Sequence, residues 1–511
     1  MEKEILYKTE TSQESIFKEI LGRNTRLNKE AIIGINSLTY GDLLKNAEKL
    51  SVLLKAQDIQ KGDIIGVCLH NSVSFVCTIL ALYQINAICL LINPQIITYE
   101  YEYIFENSQA SFLITKDDVR VVRDINNKFI KHLTEELILG GAFPRENYKD
   151  EIHPADCMIV YTSGSLGKPK GVMLTDNGIS NNVKAVCDYL ELTSEDKTIV
   201  FTPPAYTYAI SQIFTHLWVG GALLPYPHGL RFPYEIHKYV SDYGITGIAA
   251  NPTSFQILSS SKIDSEYSFD SVRYVMSGGQ PLQSSLVVTL SKLYKTARIV
   301  NMYGCTENSP RISFYWLPKE ILERETPWPV GVPINGTRIK IVDDSGGELP
   351  KNDIGQIYIS GNSMMRAYWR DPNLTQERVK EGWFNTGDLG FIDTEGLLNL
   401  TGRIDNIINV GHEKVSPEEI EEVIRTVDKV LDVGVTSIED NLLGNKLIAF
   451  IVHNEKPNDE LLASLKHECR KKLSFHKQPY RFIQVQSLPK TLYGKIDRRG
   501  LKELTTKFDQ S

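Results

Sequence analysis

Through its first three quarters the chain alternates short apolar or β-branched runs with segments of helical length, and no other feature limits its fold so tightly. Ile64–Leu69, Ala87–Ile92, Ala110–Thr115, Cys157–Thr162, Lys197–Thr202, Gly244–Ala250, Val272–Ser277 and Ala297–Tyr303 read as buried strands. Asn71–Asn86, between the first two, has the length of a crossover helix. Strands that are apolar on both faces need cover on both, so the rhythm predicts an α/β fold of mostly parallel sheets packed with helices. With 511 residues, 42% of them hydrophobic, the chain can bury a sizeable core. That length suits roughly three folding units, or a large core with a small cap.

Around Ile334 the texture changes. Thr337–Pro350, Gly355–Gly361 and Trp383–Arg403 carry short alternating strands and Asp/Gly turns, with Thr394-Glu395-Gly396 as a hairpin turn. They predict a small antiparallel, barrel-like subdomain. After Gly402 a separate α+β module is expected, joined by the short polar turn Gly402–Asn406. The expected division is therefore 1–402 for a large domain and 403–511 for a small one. The first helix of the small module has a legible start: Ser416 as N-cap, Pro417 at N1 and Glu419 at N3, the pattern of a capping box.

Several function classes are disfavoured. A net charge of −7 argues against binding dominated by nucleic-acid phosphates or anionic lipid. The seven cysteines include no CxxC pair and read as small buried hydrophobes of a reducing compartment. The N-terminal stretch Met1–Glu14 is too charged for a signal peptide, which makes the cytoplasm the expected location. Two stretches free of Asp, Glu, Lys and Arg, Ile64–Tyr99 and Phe201–Leu230, are long enough to raise a membrane span. Both are interrupted, the first by His70, Asn71, Gln84, Asn86 and Pro94, the second by Pro203, Pro204, Gln212, His216, Pro225 and Pro227. Core strands and helices explain them better.

The strongest chemical segment is Tyr161–Thr175, YTSGSLGKPKGVMLT. Small residues at Thr162, Ser163, Gly164, Ser165 and Gly167 follow an apolar strand and let backbone N–H groups and hydroxyls converge on one point. Lys168 and Lys170 add positive charge. One glycine would read as a surface turn; the whole set predicts a polyphosphate loop. It is not a Walker loop, because Gly167-Lys168 is followed by Pro169 where that motif needs a serine or threonine, and GxGxxG is absent from it.

Five motifs in order carry a resemblance: YTSGSLGKPKGV, YGCTE (Tyr303–Glu307), NTGDLG (Asn385–Gly390), GRIDNIINVGHEKVSPEEIE (Gly402–Glu421) and LPKTLYGKIDR (Leu488–Arg498). Together they resemble the adenylate-forming superfamily of acyl- and aryl-CoA synthetases, peptide-synthetase adenylation domains and firefly luciferase, closest in style to stand-alone acid:CoA ligases. The resemblance implies a large domain of two α/β sheet subdomains plus the barrel, binding ATP and acid, and a mobile C-terminal cap that hinges near Asp405.

It also implies roles. The Thr162–Lys170 loop would hold the β- and γ-phosphates of ATP. Thr306 would contact the α-phosphate and Glu307 would bind Mg2+. Asp388 would accept hydrogen bonds from the ribose hydroxyls, with Arg403 beside it. Adenine would lie against Gly278, Gly279 and Gln280, near Asn301, Tyr303 and Gly304. Lys495 would bridge the substrate carboxylate and the α-phosphate in the adenylation step, and the face around Gly411 and His412 would open to a thiol. Coenzyme A is the implied acceptor; the phosphopantetheine of a carrier protein is the alternative.

For the acid, the stretch Pro203–Phe214 places Tyr208 where peptide-synthetase members carry an aspartate for the substrate amine, which disfavours an α-amino acid. Tyr206-Thr207 departs from the aromatic–histidine pair of many CoA ligases. Tyr206, Tyr208 and Tyr303, with Ser277, Gly279 and Ser309, would line the slot of a small aryl or acyl acid. A non-catalytic adenylate sensor is the reading from another class. It would be expected to lack Glu307 or Lys495, and both are present. Monomer and homodimer both stay open.

Overall fold

The structure, a computed structural model, describes residues 15–23, 26–94, 98–115, 131–134, 137–140, 152–162, 169–318, 320, 327–410, 413–428, 430–440, 444–453, 459–490 and 495–508. The chain divides into two compact units. The first comprises Met1–Ile321, Val330–Ile339 and Ile359–Phe384; the second comprises Leu322–Pro329, Lys340–Tyr358 and Asn385–Ser511. The boundary between these units lies inside strand Trp383–Ile392, and the hairpin that this strand makes with Leu398–Arg403 groups with the second unit.

The first unit is built on two large sheets. A nine-stranded sheet runs Val332–Pro333, Arg311–Trp316, Arg298–Gly304, Tyr274–Gly278, Gly247–Ala250, Lys197–Val200, Ala222–Pro225, Glu30–Ile32, Leu38–Thr39. Its six central strands, from Arg298–Gly304 to Glu30–Ile32, are mutually parallel. An eight-stranded sheet runs Ala367–Tyr368, Lys170–Thr175, Asp156–Thr162, Ile88–Leu91, Ile64–Cys68, Phe112–Thr115, Leu137–Gly140, Lys131–Thr134. Its centre is parallel and both edges are antiparallel. Each predicted strand appears at or within a few residues of its expected span, because apolar residues on both faces leave few other ways to escape water.

The charge-free stretches belong to this core. Ile64–Cys68, helix Val73–Gln84 and Ile88–Leu91 fill the first; helix Thr207–Val219 and Ala222–Pro225 fill the second. Among the described residues no helix is long and apolar enough to cross a membrane. Of the seven cysteines five are buried, and Cys157 and Cys305 are partly so.

Between Thr337 and Arg403 a five-stranded sheet forms, closed by the hairpin turn at Asp393–Leu397, where Gly396 takes φ 86°. The C-terminal module pairs Val430–Asp440 with Gly444–His453 antiparallel, and Arg481–Val485 adds parallel to the latter. Alternation decides which face each residue covers. Leu447, Ala449 and Ile451 pack with Ile420, Ile424, Leu465 and Cys469. Ile448 and Phe450 face Ile483, Leu488 and Leu501.

The capping box at Ser416 is corrected. Ser416 is the N-cap and Pro417 is at N1, but no side-chain cap bond forms. The Ser416 hydroxyl turns instead to Glu418 Oε2 (2.8 Å) and the Thr401 carbonyl (3.1 Å), while Lys477 Nζ takes both oxygens of Glu419 at 2.7 Å. A charge-assisted bond to an ammonium outcompetes a neutral backbone N–H for the glutamate.

Candidate active site

Strands Asp156–Thr162 and Lys170–Thr175 pair antiparallel, with Thr162 opposite Lys170. Ser163, Gly164, Ser165, Gly167 and Lys168, between them, lie outside the described residues. The frame around the loop is therefore strand–loop–strand, unlike the strand–loop–helix of a Walker site. At its base the Lys170 ammonium stands 6.0 Å from the centre of the Tyr368 ring. Tyr368 reaches this place by pairing with Val172 at the sheet edge. Its hydroxyl donates to Glu307 Oε1 at 2.8 Å. Burial pushes the phenol pKa up, and the Glu307 charge pushes it further, so Tyr368 remains a donor at any ordinary pH.

Glu307 is held just as firmly from its backbone side. Strand Arg298–Gly304 ends in the single turn Thr306–Asn308, and the Glu307 carbonyl accepts from Met365 N at 2.6 Å. Asn182, on helix Asp176–Leu190, clamps the following residues. Its Nδ2 donates to the carbonyls of Asn308 (2.8 Å) and Arg311 (2.9 Å), and its Oδ1 accepts from Arg311 N at 3.2 Å. Gly304 must be glycine here, since a Cβ would sit 2.0 Å from the Pro310 carbonyl oxygen.

One strand over, Gly278 pairs with Met302. A Cβ on Gly278 would come within 2.2 Å of Met302 Cε and 2.9 Å of its carbonyl oxygen, whereas a Cβ on Gly279 would meet nothing within 4 Å. The first glycine permits strand packing; the second leaves open space above the backbone, as a flat ligand face requires. Gln280 is tied down, its Oε1 accepting from Thr253 N (3.2 Å) and Oγ1 (2.8 Å). Asn301 and Tyr303 are buried on the neighbouring strand, and Ser277 is wholly buried with no partner for its hydroxyl.

Tyr206 accepts from Asn93 Nδ2 at 3.1 Å. Tyr208 donates to the Met276 carbonyl at 3.1 Å, and the Arg311 guanidinium lies 4.2 Å over its ring. Ser309 takes the left-handed φ of 64° and is buried, its hydroxyl without a partner.

In the second unit Arg403 Nη1 donates to Asp388 Oδ1 at 2.7 Å, and Arg403 Nη2 lies 3.9 Å from Asp405 Oδ2. The two strands that carry Asp388 and Arg403 place them directly opposite. Asn406 Nδ2 donates to Glu418 Oε1 at 2.5 Å, and Arg498 joins Glu418 at 3.0 Å and Glu421, so the residues after Asp405 are anchored to helix Pro417–Arg425. Lys495 is exposed at a bend beside Ile496, which bridges back to Lys490. Gly411 and His412 lie outside the described residues.

The first unit thus brings together Thr162, Lys170 and Glu307, and, on the neighbouring strand ends, Gly278, Gly279, Asn301, Tyr303 and Gly304. The second brings together Asp388, Arg403 and Asp405. Tyr368 and Asn182 were not foreseen, and neither has a local signal: each matters only through a partner far along the chain. No group of three His, Cys, Asp or Glu able to hold a metal ion occurs among the described residues. A lone carboxylate at the end of a glycine-rich phosphate frame fits Mg2+, which binds one or two protein oxygens and takes the rest from water and substrate phosphates.

A core of parallel strands thus carries, at its strand ends, a glycine-rich strand–loop–strand frame and a carboxylate held by a buried tyrosine. Residues 21–369 match the AMP-binding enzyme family and residues 419–495 the AMP-binding enzyme C-terminal domain; the chain belongs to this family. It is 30% identical over 491 residues to 4-coumarate–CoA ligase 2 of Nicotiana tabacum, covering 91% of this chain and 89% of that one. It is 28% identical over 490 residues to oxalate–CoA ligase of Arabidopsis thaliana, covering 92% and 94%. Its fold matches that of o-succinylbenzoate coenzyme A synthetase of Bacillus subtilis, solved with ATP and magnesium ion, with a TM-score of 0.79, 23% identity and coverage of 96% and 100%.

Proposed function

We propose that this AMP-binding enzyme is an acid:CoA ligase that converts an aryl or acyl carboxylate to its adenylate, releases pyrophosphate, and passes the acyl group to the thiol of coenzyme A. The observation that carries the reading is the link Glu307–Tyr368–Lys170. It joins the motif expected to bind metal, which follows a strand of the nine-stranded sheet, to the foot of the motif expected to bind phosphates, on the eight-stranded sheet. CoA ligases are among the relatives in which similarity spans most of both chains, beside zwittermicin A synthase ZmaJ of Bacillus cereus.

A carboxylate is a poor electrophile, because its charge repels nucleophiles and oxide does not leave. Attack by its oxygen on the α-phosphorus of ATP replaces oxide with AMP as the leaving group. The protein's task is to hold positioned donors and charges around a crowded anionic transition state. Thr162 and Lys170 stand at the base of the loop for the β- and γ-phosphates, and Thr306 beside the α-phosphate. Glu307 would hold Mg2+, which supplies a hard positive charge to the phosphate oxygens. The open backbone at Gly279 receives adenine, and Asp388 with Arg403 receives the ribose. Lys495 bridges acid and α-phosphate oxygens, and movement of the 403–511 cap about Asp405 then withdraws it and admits the thiol along Gly411 and His412.

The test is ATP–pyrophosphate exchange over a panel of carboxylic acids, followed by addition of coenzyme A. Acid-dependent exchange with thioester formation is the expected result. Exchange without thioester points to a carrier protein as acceptor. ATP binding with no exchange for any acid would support the sensor and reject the ligase.

A further inference from the structure

We infer that Arg311 selects the substrate by pairing with a second carboxylate, so that the acid activated is a dicarboxylic acid; this rests on the ligase reading above. Arg311 is 0% exposed and heads the fully buried side chains of the described residues by size. Its Nε and Nη1 have no hydrogen-bond partner; Nη2 lies 4.0 Å from Met276 Sδ, and the Tyr189 phenol also interacts with the guanidinium. What surrounds the guanidinium is neutral: the Tyr208 ring, the Met276 sulfur and the phenol of Tyr189.

Other arginines of this protein behave differently. Arg273 pairs with Asp196 at 2.9 Å, Arg366 with Asp156 at 2.8 Å, and Arg498 with Glu418 and Glu421. Their side chains are 40%, 31% and 26% exposed, so the less buried cations have carboxylates and the most buried one has none among the described residues. A guanidinium cannot shed its proton to escape burial. A cation–π contact offsets only part of the lost hydration. The charge is therefore incomplete without an anion.

Its position says where that anion comes from. Arg311 stands opposite Gly304 at the strand end that leads from Glu307, with its backbone fixed by Asn182. Its guanidinium reaches Tyr208 and the residue before Ser277, at the end of the strand that continues into Gly278 and Gly279. Two more buried hydroxyls of this region, Ser277 and Ser309, also lack partners. An apolar acyl tail would leave all of them unpaired.

The experiment compares acids matched in size: succinate with butyrate, glutarate with pentanoate, adipate with hexanoate, isophthalate with 3-methylbenzoate. Pyrophosphate exchange is measured for wild type, Arg311→Met and Arg311→Lys. Wild type should favour the diacid in at least one pair, and Arg311→Met should lose that acid by roughly 10²-fold in kcat/KM and favour its methyl-ended partner, with Arg311→Lys between. Preference for the methyl-ended acid in every pair, or a diacid preference that survives in Arg311→Met, overturns the inference while leaving the ligase reading intact.

Melting temperature without acid is the second readout. Arg311→Met should melt at or above wild type, because it removes an uncompensated buried charge. A fall of more than about 5 °C would mark the guanidinium as a structural tie and overturn the inference. Absence of exchange with every acid counts against the ligase reading; thermal shift with the same diacids and ATP then decides Arg311, stabilisation of wild type but not of Arg311→Met supporting it and equal response of the two overturning it.

Discussion

Tyr368→Phe isolates the link on which the active-site reading depends. The substitution deletes one hydroxyl and keeps the ring that fills the sheet edge and faces Lys170. What is lost is a 2.8 Å bond from a neutral phenol to the Glu307 carboxylate. A hydrogen bond to a charged group contributes about 1.5–3 kcal/mol. If that bond holds Glu307 in the orientation that binds Mg2+, its loss should cost roughly 10- to 100-fold in kcat/KM for Mg-ATP, at about 1.4 kcal/mol per decade. Pyrophosphate exchange titrated with Mg2+ separates this from a general weakening: the Mg2+ concentration for half-maximal rate should rise, and excess Mg2+ should restore part of the rate. Because Glu307 is also held through its carbonyl, the fold should survive, as circular dichroism and the melting curve will show. A folded Tyr368→Phe protein with rate and Mg2+ dependence within about twofold of wild type would refute the argument that Tyr368 positions Glu307.

Lys495→Ala should reduce pyrophosphate exchange by roughly 10²-fold or more while leaving thioester formation from a supplied acyl-adenylate much less affected; equal loss in both steps would remove Lys495 from the first one. Gly278→Ala should destabilise by about 1–3 kcal/mol or more through overpacking against Met302, lowering the melting temperature, whereas its open neighbour Gly279 should tolerate the added methyl group at the cost of backbone strain alone, about 1–2 kcal/mol. Burial, with Glu421, Glu418 and Glu419 adding to it against Arg425, pushes the Glu422 carboxyl up to about 7 from 4.5. The folded state therefore binds the proton more tightly than the unfolded one, and stability should fall as pH rises from about 4.5 through 7. Glu422→Gln should melt higher than wild type at pH 8, by about 2 kcal/mol, with the difference gone by pH 4; a difference independent of pH would reject the assignment.

The sheet strands were legible because each is a local run of apolar residues with no solvent-tolerant face. Ile64–Cys68 and Tyr274–Gly278 needed no knowledge of their neighbours to be recognised. The family was legible for a different reason: motifs that bind one small molecule preserve residue types at fixed local spacing. Ser416 shows where local reading fails. The cap residue and the proline were right, but Lys477 took the glutamate, and no window around Ser416 contains Lys477.

Sequence by itself determined the strand rhythm, the order of the motifs and the family, since these depend on neighbours along the chain. Tertiary structure alone decided that Tyr368 stands between Glu307 and Lys170, that Asn182 clamps the turn after Glu307, and that Arg311 is buried with no carboxylate partner among the described residues. Such facts arise when separate strands and helices are brought into contact, and a charge's surroundings are then set by residues from 35 to 129 positions away.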